Sequence, residues 1–501
     1  MSKQPRDDIF PEDQEDMDSE GETMLDADEV AEELTNHGDA VDDDDDMDEE
    51  MGEDQVMEEI ALQNDSSAHF DAFNDSIFCI ASHPRFPQLV ALGGSEGEEL
   101  GGVGFLFDST PEDGPVLPAS YQADPNQPRE RATLGPLSKL EGHTDSINAL
   151  AFTLPSGDAL LSGGLDGQLK AWVPAKKSRP LGPWKQLASV REVEEINWIL
   201  PCPSAEYANT IALGASDGSV WVYTVDPSST DSDDVLQIVQ SYFIHTSSCT
   251  AGSWSADGKL LATVSDEGSL YVWDVFGAAA AAGVTASSSG SQAIVGLTAA
   301  DQRFAVEGGL YSVAIAPSGS FLVVGGAGGA MKVVGLPSLG ETAKGGAKGK
   351  GGKAKASSGQ AGVILADLNS QSSSVESLAF APPPSTLFAA GSVDGSIALF
   401  DSAYRFATRR HIKEAHEEFA VVQIKFSEKD PRILISAGMD GVVRLWNTQG
   451  GTAVANHGFA GEFRGHRGEG EGGGVLGFVE KNGRVVTAGD DGVSLVFDVL
   501  P

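Results

Sequence analysis

Residues 142–172 read GHTDSINALAFTLPSGDALLSGGLDGQLKAW, and this stretch decides the fold. A Gly-His pair precedes an apolar strand at 147–152, a strand of small residues follows at 159–163, and a third strand ends at Trp172. The turn Asp166-Gly167 joins the second and third strands, because Asp and Gly accept the backbone angles of tight turns. The stretch therefore predicts antiparallel strands of one sheet.

The same turn, followed by a strand that ends in an aromatic residue, returns along the chain. Further copies are Asp217-Gly218 to Tyr223, Asp266-Glu267-Gly268 to Trp273, Asp394-Gly395 to Phe400, Asp440-Gly441 to Trp446 and Asp491-Gly492 to Phe497. Degenerate copies begin at 93–97 and 325–328. This spacing resembles the WD-repeat family, whose units of about 40–45 residues form four-stranded blades. The resemblance implies an all-β fold, a β-propeller of eight blades, although seven is the commoner number in the family.

Two repeats match a buried set of four residues that the WD-repeat family places within a blade. In the family, His, Ser or Thr, Asp and Trp form a hydrogen-bonded group. The resemblance assigns this structural role to His143, Ser162, Asp166 and Trp172 in one blade and to His416, Ser436, Asp440 and Trp446 in another. The other repeats lack one or more members.

The predicted propeller spans 66–501, and residues 1–65 are predicted to be a disordered acidic tail. The blades are placed near 76–108, 141–174, 187–225, 242–275, 305–336, 372–402, 412–448 and 463–499. Loop insertions are predicted at 109–139, 277–300 and 340–361, which are rich in Pro, Ala/Ser/Gly and Lys/Gly respectively. The alternating segment 68–73 is predicted to supply the outer strand of the last blade, because a propeller closes without an exposed edge.

Acidity is the strongest compositional feature, with a formal net charge of −43. Residues 1–65 hold 28 acidic residues against Lys3 and Arg6, so this segment cannot bury a core of its own. The remaining chain is also acidic. Such a field repels nucleic acid and attracts basic partners, and the alternative is that it only confers solubility.

Several protein classes are disfavoured by the sequence. Cys79, Cys202 and Cys249 are far apart, which argues for a reducing compartment and against disulfides or a zinc site. No signal peptide or membrane span is evident. We expect a monomeric intracellular protein, cytoplasmic with the nucleus as an alternative, that needs no cofactor or metal. No catalytic constellation is present, so we expect a protein that is not an enzyme.

Acidic residues concentrate at one level of the predicted blades. The loop that leads into the first strand of each blade and the turn between the second and third strands lie on one face, around the channel. Leading loops carry Asp75, Asp145, Glu192, Glu194, Glu195, Glu307, Glu376, Glu417, Glu418, Glu469 and Glu471, and the turns add Glu96, Glu98, Glu267 and Asp490. Arg191 and Arg467 are the chief basic residues there. We expect a carboxylate-lined mouth that binds an extended Arg/Lys-rich peptide.

The lysine-bearing loop at 340–361 allows two interpretations. Lys344, Lys348, Lys350, Lys353 and Lys355 stand among Gly and Ala without aromatic residues. The loop is either a solvated insertion or a contact for a polyanion, which would be RNA, another polyanion or the chain's own acidic tail folded back onto it. It lacks the stacking platform of single-strand binders. No direct binding of nucleic acid or membrane is expected.

Four segments resemble one WD-repeat subfamily more closely than generic repeats. They are residues 76–80 (SIFCI), 193–198 (VEEINW), 373–380 (SSVESLAF) and 389–401 (AAGSVDGSIALFD). With the acidic leader, they resemble the subfamily of the angio-associated migratory cell protein and its fungal counterpart, the dedicated chaperone of large-subunit ribosomal protein L10 (universal name uL16).

The subfamily resemblance implies a specific function. The propeller would capture the basic N-terminal segment of the newly made ribosomal protein on its acidic face, shield it, and release it during 60S assembly. Glu194, Glu195 and Glu376 lie inside matched segments and are the first candidates for binding. Asp145, Glu192 and Glu267 come next, and Glu307 and Asp75 complete the predicted set.

Two other functions remain open from the residues alone. A generic WD-repeat scaffold in signalling or migration would bind several partners on other surfaces. A chaperone of histone-type basic proteins would use the same acidic face, since its ligand is also a basic peptide.

Overall fold

The computed structural model describes residues 63–97, 101–110, 132–284, 293–339, 360–450, 455–467 and 473–499. The acidic segment 1–62 lies outside the described residues, as do most of the Pro-rich insertion and residues 340–359 of the lysine loop. Within the described part, no helix is long and apolar enough to cross a membrane.

The described part folds into eight sheets, each with four antiparallel strands, and one sheet has a short fifth strand that pairs in parallel. The first strand, β1 (Ala68–Phe70), is discussed below. Blade one contains β2 (Ile77–Ser82), β3 (Leu89–Ser95), β4 (Gly102–Asp108) and β6 (Pro136–His143). The short strand β5 (Ala132–Thr133) precedes β6 in the chain but pairs in parallel with β1 at the edge of blade eight. Blade two contains β7 (Ile147–Phe152), β8 (Leu160–Gly164), β9 (Gln168–Pro174) and β10 (Trp184–Arg191). Blade three contains β11 (Ile196–Pro201), β12 (Thr210–Ala215), β13 (Val220–Val225) and β14 (Leu236–Tyr242).

The next three blades repeat this order. Blade four contains β15 (Cys249–Trp254), β16 (Leu260–Ser265), β17 (Leu270–Asp274) and β18 (Ala293–Leu297), with the short helix α1 (Ala278–Ala281) before β18. Blade five contains β19 (Leu310–Ile315), β20 (Phe321–Gly326), β21 (Ala330–Gly335) and β22 (Ile364–Asn369). Blade six contains β23 (Val375–Phe380), β24 (Leu387–Ser392), β25 (Ile397–Asp401) and β26 (Ala407–Ile412).

The last two blades complete the ring. Blade seven contains β27 (Val421–Phe426), β28 (Ile433–Gly438), β29 (Val443–Asn447) and β30 (Phe459–Phe463). Blade eight contains β31 (Val475–Lys481), β32 (Arg484–Gly489) and β33 (Ser494–Asp498). Short 3-10 turns lie at Ala205–Tyr207, Ser232–Asp234, Ala327–Gly329, Ser402–Tyr404 and Ala455–Gly458.

Strand β1 closes the propeller as the fourth strand of blade eight. It pairs antiparallel to β33, with Ala68 opposite Val496 and Phe70 opposite Ser494. The prediction that this segment supplies the outer strand of the last blade is confirmed. The eight-bladed all-β architecture is confirmed with it. Because a closed ring leaves no blade without a neighbour, every large sheet face is covered.

The core lies between the blades. Among the described residues, eight clusters of buried apolar side chains each join one blade to the next, and one of them joins blade eight to blade one. In that last cluster, Phe70 is fully buried and its ring stacks on Phe107 with centroids 4.7 Å apart. Burial of apolar surface, about 25 cal/mol per Å², thus stabilises the ring as a whole.

Two predicted loop insertions contain strands. The range 109–139 includes β5 and the start of β6, and the range 277–300 includes β18. More generally, the predicted blade ranges hold the three inner strands, while the outer strand of blades one to seven lies after the range. Among these outer strands, β22 alternates between exposed and half-buried residues, so its apolar signal is weak.

The first strand of each blade lines the central channel. Strands β2, β7, β11, β15, β19, β23, β27 and β31 contact one another in sequence, and β31 contacts β2. The end at which these innermost strands begin is called the upper face here. Because neighbouring strands are antiparallel, the turns between second and third strands lie on the same face.

Candidate functional site

A buried hydrogen-bonded set supports the upper face in blade two. The Trp172 indole N–H donates to the Ser162 hydroxyl over 2.9 Å, and that hydroxyl lies 2.8 Å from Nε2 of His143. Nδ1 of His143 lies 3.1 Å from the Asp166 carboxylate. Because a carboxylate only accepts, Nδ1 carries the hydrogen and Nε2 accepts from Ser162. In blade seven, His416, Ser436, Asp440 and Trp446 make the same contacts.

The carboxylate of this set is held in its charged form. Burial alone would raise the pKa of Asp166, but hydrogen bonds from His143 and from the main-chain amides of Gln168 and Thr144 lower its pKa to about 2. Asp166 therefore remains ionised at neutral pH and holds the turn beside it. The histidines and turn aspartates of both complete sets are thus engaged inside their blades.

Two further blades carry modified sets that the sequence pattern missed. In blade four, His245 contacts Thr263 and Ser269, and the Trp273 indole donates to Thr263. In blade eight, His466 contacts Thr487 and Asp491. In both sets Thr takes the place of Ser. In blade four no Gly precedes the His, so the only sequence indication of its set is the spacing between His245 and Trp273.

The blade-four set gives Glu267 a structural position. Its carboxylate accepts from the main-chain amide of Thr246 and from the Ser269 hydroxyl, at 2.9 and 2.8 Å. Glu267 thus occupies the place that Asp166 has in blade two, because the turn contains one extra acid, Asp266, before it. Because its carboxylate is hydrogen-bonded within the turn, Glu267 is less available for binding a ligand than the unpaired acids.

Each turn of this kind also positions the leading loop of the next blade. Gly167 has a φ of +72°, and a Cβ atom there would lie 2.6 Å from the carbonyl oxygen of Glu194. A Cβ atom on Gly395 would collide in the same way with the carbonyl oxygen of Glu417 in the next leading loop. The glycine turns therefore fix the loops that carry the acidic side chains.

Most of the predicted acidic side chains are exposed on the upper face and lack a basic partner. Within the described residues, no Lys, Arg or His side chain forms an ion pair with this group, called the carboxylate ring below. Its members are Asp75, Asp145, Glu192, Glu194, Glu195, Glu307, Glu376, Glu417 and Glu418. Asp75 accepts from the amide and the hydroxyl of Ser76, and Asp145 accepts from the amide of Ser146. On the opposite face some acids are paired, since Glu428 binds Lys481 and Asp430 binds Arg432, while others are exposed there without an ion pair among the described residues.

Three of the four predicted turn acids are already engaged, and the fourth lies outside the described residues together with two leading-loop acids. Glu96 forms an ion pair with Lys139 at 2.9 Å, and Asp490 accepts from the Ser76 hydroxyl at 2.7 Å. Glu267 is engaged as described above. Glu98, Glu469 and Glu471 are not among the described residues.

A second ring of residues, absent from the sequence prediction, lines the upper mouth of the channel. In all eight blades the pairing of the innermost strand shifts around its second residue, which forms a β-bulge. The bulge residues are Phe78, Asn148, Asn197, Thr250, Tyr311, Glu376, Val422 and Leu476. A bulge leaves its residue unpaired and redirects the side chain, so these positions border the channel mouth.

Glu376 belongs to both rings. Its side chain is exposed, but it stands in the wall of the channel mouth, and partial desolvation raises its pKa. A carboxylate in that setting gains more from a cationic partner than one on an open surface, because the pair is less screened. Glu376 is therefore the best placed of the predicted acids for pairing with Arg or Lys.

Basic residues on the upper face are few. Arg191 and Arg467 are exposed there, as predicted, and Lys413 adds a third in the loop after β26. Arg303 and Arg464 are already paired with Asp301 and Glu462. No group of three or more potential metal ligands occurs in the part of the chain that the structure describes. The site is suited to binding a polycation.

The repeats match a known family model. The model described as WD domain, G-beta repeat, matches residues 134–172, 236–274, 362–401 and 408–447. These stretches end at or next to the aromatic residues of blades two, four, six and seven.

Relatives with the same fold cover nearly the whole propeller. The crystal structure of Chaetomium thermophilum Sqt1 bound to the N-terminus of the ribosomal protein L10 is 48% identical, with a TM-score of 0.74, over 87% of this chain and 100% of that chain. The ribosome assembly protein SQT1 of Saccharomyces cerevisiae is 27% identical over 483 residues, 91% of each chain. The angio-associated migratory cell protein of Homo sapiens is 24% identical over 415 residues, 81% of this chain and 74% of that protein.

Proposed function

Since the chain belongs to the Sqt1 family of WD-repeat propellers, we propose that it is a ribosome-assembly chaperone that binds the basic N-terminal segment of ribosomal protein L10 on its upper face. It is a binding protein rather than an enzyme. Capture would take place in the cytoplasm, before the ribosomal protein joins the large subunit.

One observation carries the proposal for the binding face. The carboxylate ring lies in the leading loops around the channel mouth, and in the described part of the chain none of its members forms an ion pair with Lys, Arg or His. Unpaired like charges on one surface repel one another and destabilise the isolated protein slightly. A basic ligand relieves that repulsion, so the same residues favour binding.

The arrangement also suits an extended ligand. Glu194 and Glu195 lie in the leading loop of blade three, and Glu376 lies at the channel mouth in blade six. A single compact cation would reach one of these sites, but a segment with several Arg or Lys residues reaches both across the mouth. Arg–carboxylate pairs are strong and directional, which sets the register of the segment.

The test is the affinity of the full chain for a synthetic peptide of the N-terminal segment of L10 from the same organism. We expect tight binding that weakens as salt rises, because screening shortens the reach of the charges. The triple variant Glu194→Lys, Glu195→Lys and Glu376→Lys should bind about 100-fold more weakly or worse.

A matched control separates the site from net charge. The variant Asp158→Lys, Glu206→Lys and Asp234→Lys changes the charge equally at exposed acids on the opposite face. It should retain nearly full affinity. Equal losses in both variants would show that net charge alone attracts the peptide, and unchanged affinity in the first would refute the proposed site.

A further inference from the structure

An apolar surface adjoins the carboxylate ring on blade three, at the start of the loop between β14 and β15. Phe243 is 64% exposed and Ile244 is 38% exposed, although they are consecutive. Large apolar side chains left side by side in water are costly, and such patches mark sites of interaction.

The exposure of these two residues is enforced by their neighbours in the chain. Tyr242, just before them, is buried and its ring stacks on Trp273 with centroids 4.1 Å apart. His245, just after them, is buried against Thr263 and Ser269. The loop is thus anchored on both sides, so Phe243 and Ile244 cannot turn inward without breaking these contacts.

Trp221 connects this apolar surface to the acidic one. Its indole makes an edge-to-face contact with Phe243, with ring centroids 5.5 Å apart. Its indole N–H donates to Ser219, which in turn donates to Asp217, so the ring is held in place. Trp221 also borders a small cavity together with Glu192 of the carboxylate ring. The proximity of Glu192 to this corner is seen again in Tyr223, whose pKa is raised by burial and by the charge of Glu192.

We propose that Phe243, Ile244 and Trp221 form an apolar shelf that binds an aromatic or aliphatic side chain of the same basic segment held by the carboxylate ring. This inference rests on the proposed function and adds specificity to it. The carboxylates attract any polycation, but the shelf favours a segment in which an apolar residue lies beside the basic ones. Continuity through Trp221 and Glu192 makes the basic segment, rather than an unrelated partner, the occupant.

The experiment compares Phe243→Ala with Phe459→Ala. Phe459 is 43% exposed and makes a similar edge-to-face contact with Trp446, 5.7 Å between centroids, on the outer strand of blade seven. We expect the Phe243 variant to bind the L10 peptide about five- to tenfold more weakly, while the Phe459 variant binds like the unaltered protein. The loss should persist at high salt, where the contribution of the carboxylates declines.

Two designed peptides of equal charge test the shelf without reference to L10. One carries arginines spaced by serine, and the other carries arginines with leucine at some spacer positions. The unaltered protein should prefer the leucine peptide several-fold, and Phe243→Ala should remove that preference.

The outcomes distinguish the two proposals. If the unaltered protein does not bind the L10 peptide, the proposed function fails, whatever the shelf does. If it binds but Phe243→Ala binds equally well, or if both phenylalanine variants lose affinity alike, the shelf is refuted and the proposed function stands.

Discussion

Gly167 of blade two lies directly against the main chain of Glu194 in blade three, close enough that a Cβ atom would come within 2.6 Å of the Glu194 carbonyl oxygen. The turn that completes one blade is thus a support for the acidic loop of the next. Structural and functional roles meet at this contact, since Asp166 braces the turn and Gly167 sets the loop.

Replacing Gly167 with Ala should therefore impair both stability and binding. The φ of +72° alone costs a non-glycine residue about 1–2 kcal/mol, and the collision with the loop adds to it. Urea unfolding measures the stability and titration with the L10 peptide measures the affinity. Gly277→Ala is the control, because Gly277 has a φ of +73° but no neighbour within 4 Å of the added atom. Equal effects of the two substitutions would contradict the supporting role.

Glu376→Gln should stabilise the protein slightly and weaken binding of the L10 peptide. A carboxyl group whose pKa is raised in the folded state holds its proton more tightly there than in the unfolded chain. Above its unfolded pKa, near 4.3, the charged form therefore disfavours folding, and the amide removes that penalty. Urea unfolding at pH 7 should show the gain, and the difference should vanish at pH 3.5. Glu418→Gln, an exposed acid in a leading loop, removes only solvent-screened repulsion within the carboxylate ring and should give a smaller gain in stability.

His245 should make the propeller sensitive to mild acid. Burial lowers its pKa to about 4, with a smaller opposing effect from the charge of Asp266. Because the unfolded histidine titrates near 6.5, stability falls as pH drops from about 6.5 to 4, by about 2–3 kcal/mol from this group. Unfolding midpoints measured from pH 7.5 to 4.5 should show this slope. His245→Gln should flatten it, whereas His457→Asn, at an exposed histidine, should retain it; a slope unaffected by the first change would refute the assignment.

Phe70→Ala should destabilise the junction between blades eight and one, where the ring closes. Phe70 is fully buried between blades eight and one, so its loss leaves a cavity that costs about 3–5 kcal/mol. Thermal unfolding and limited proteolysis near residue 70 report the change. Phe78→Ala serves for comparison, because that ring is 40% exposed and its removal leaves no buried cavity. A Phe70 variant as stable as the Phe78 variant would mean that closure depends on the strand hydrogen bonds alone.

The repeats and the closure of the ring could be predicted from the sequence because their signals are local. An Asp-Gly turn and an aromatic strand end lie within ten residues of each other, and segment 68–70 alternates as a strand should. The outer strands β18 and β22 could not be predicted, because they are short and follow segments of low complexity.

The candidate site could be predicted only in part. The exposed acids follow from their place in leading loops, but the engagement of Glu267 depends on an extra acid in its turn. The bulge residues such as Tyr311 are invisible to pattern reasoning, since a bulge exists only relative to the partner strand. The exposure of Phe243 could not be predicted either, because an isolated Tyr-Phe-Ile run normally predicts a buried strand end.

The pairing of β1 with β33 affects folding during synthesis of the protein. The Ser67 hydroxyl donates to the carbonyl of Val496, 429 residues further along the chain. At translation rates of about 5–20 residues per second, the early strand waits roughly 20 to 90 seconds for its partner. Throughout that interval blade one faces water where blade eight will later stand. A chaperone of a nascent ribosomal protein is thus itself a nascent chain with an unfinished surface, and it becomes competent only after its own last strand has left the ribosome.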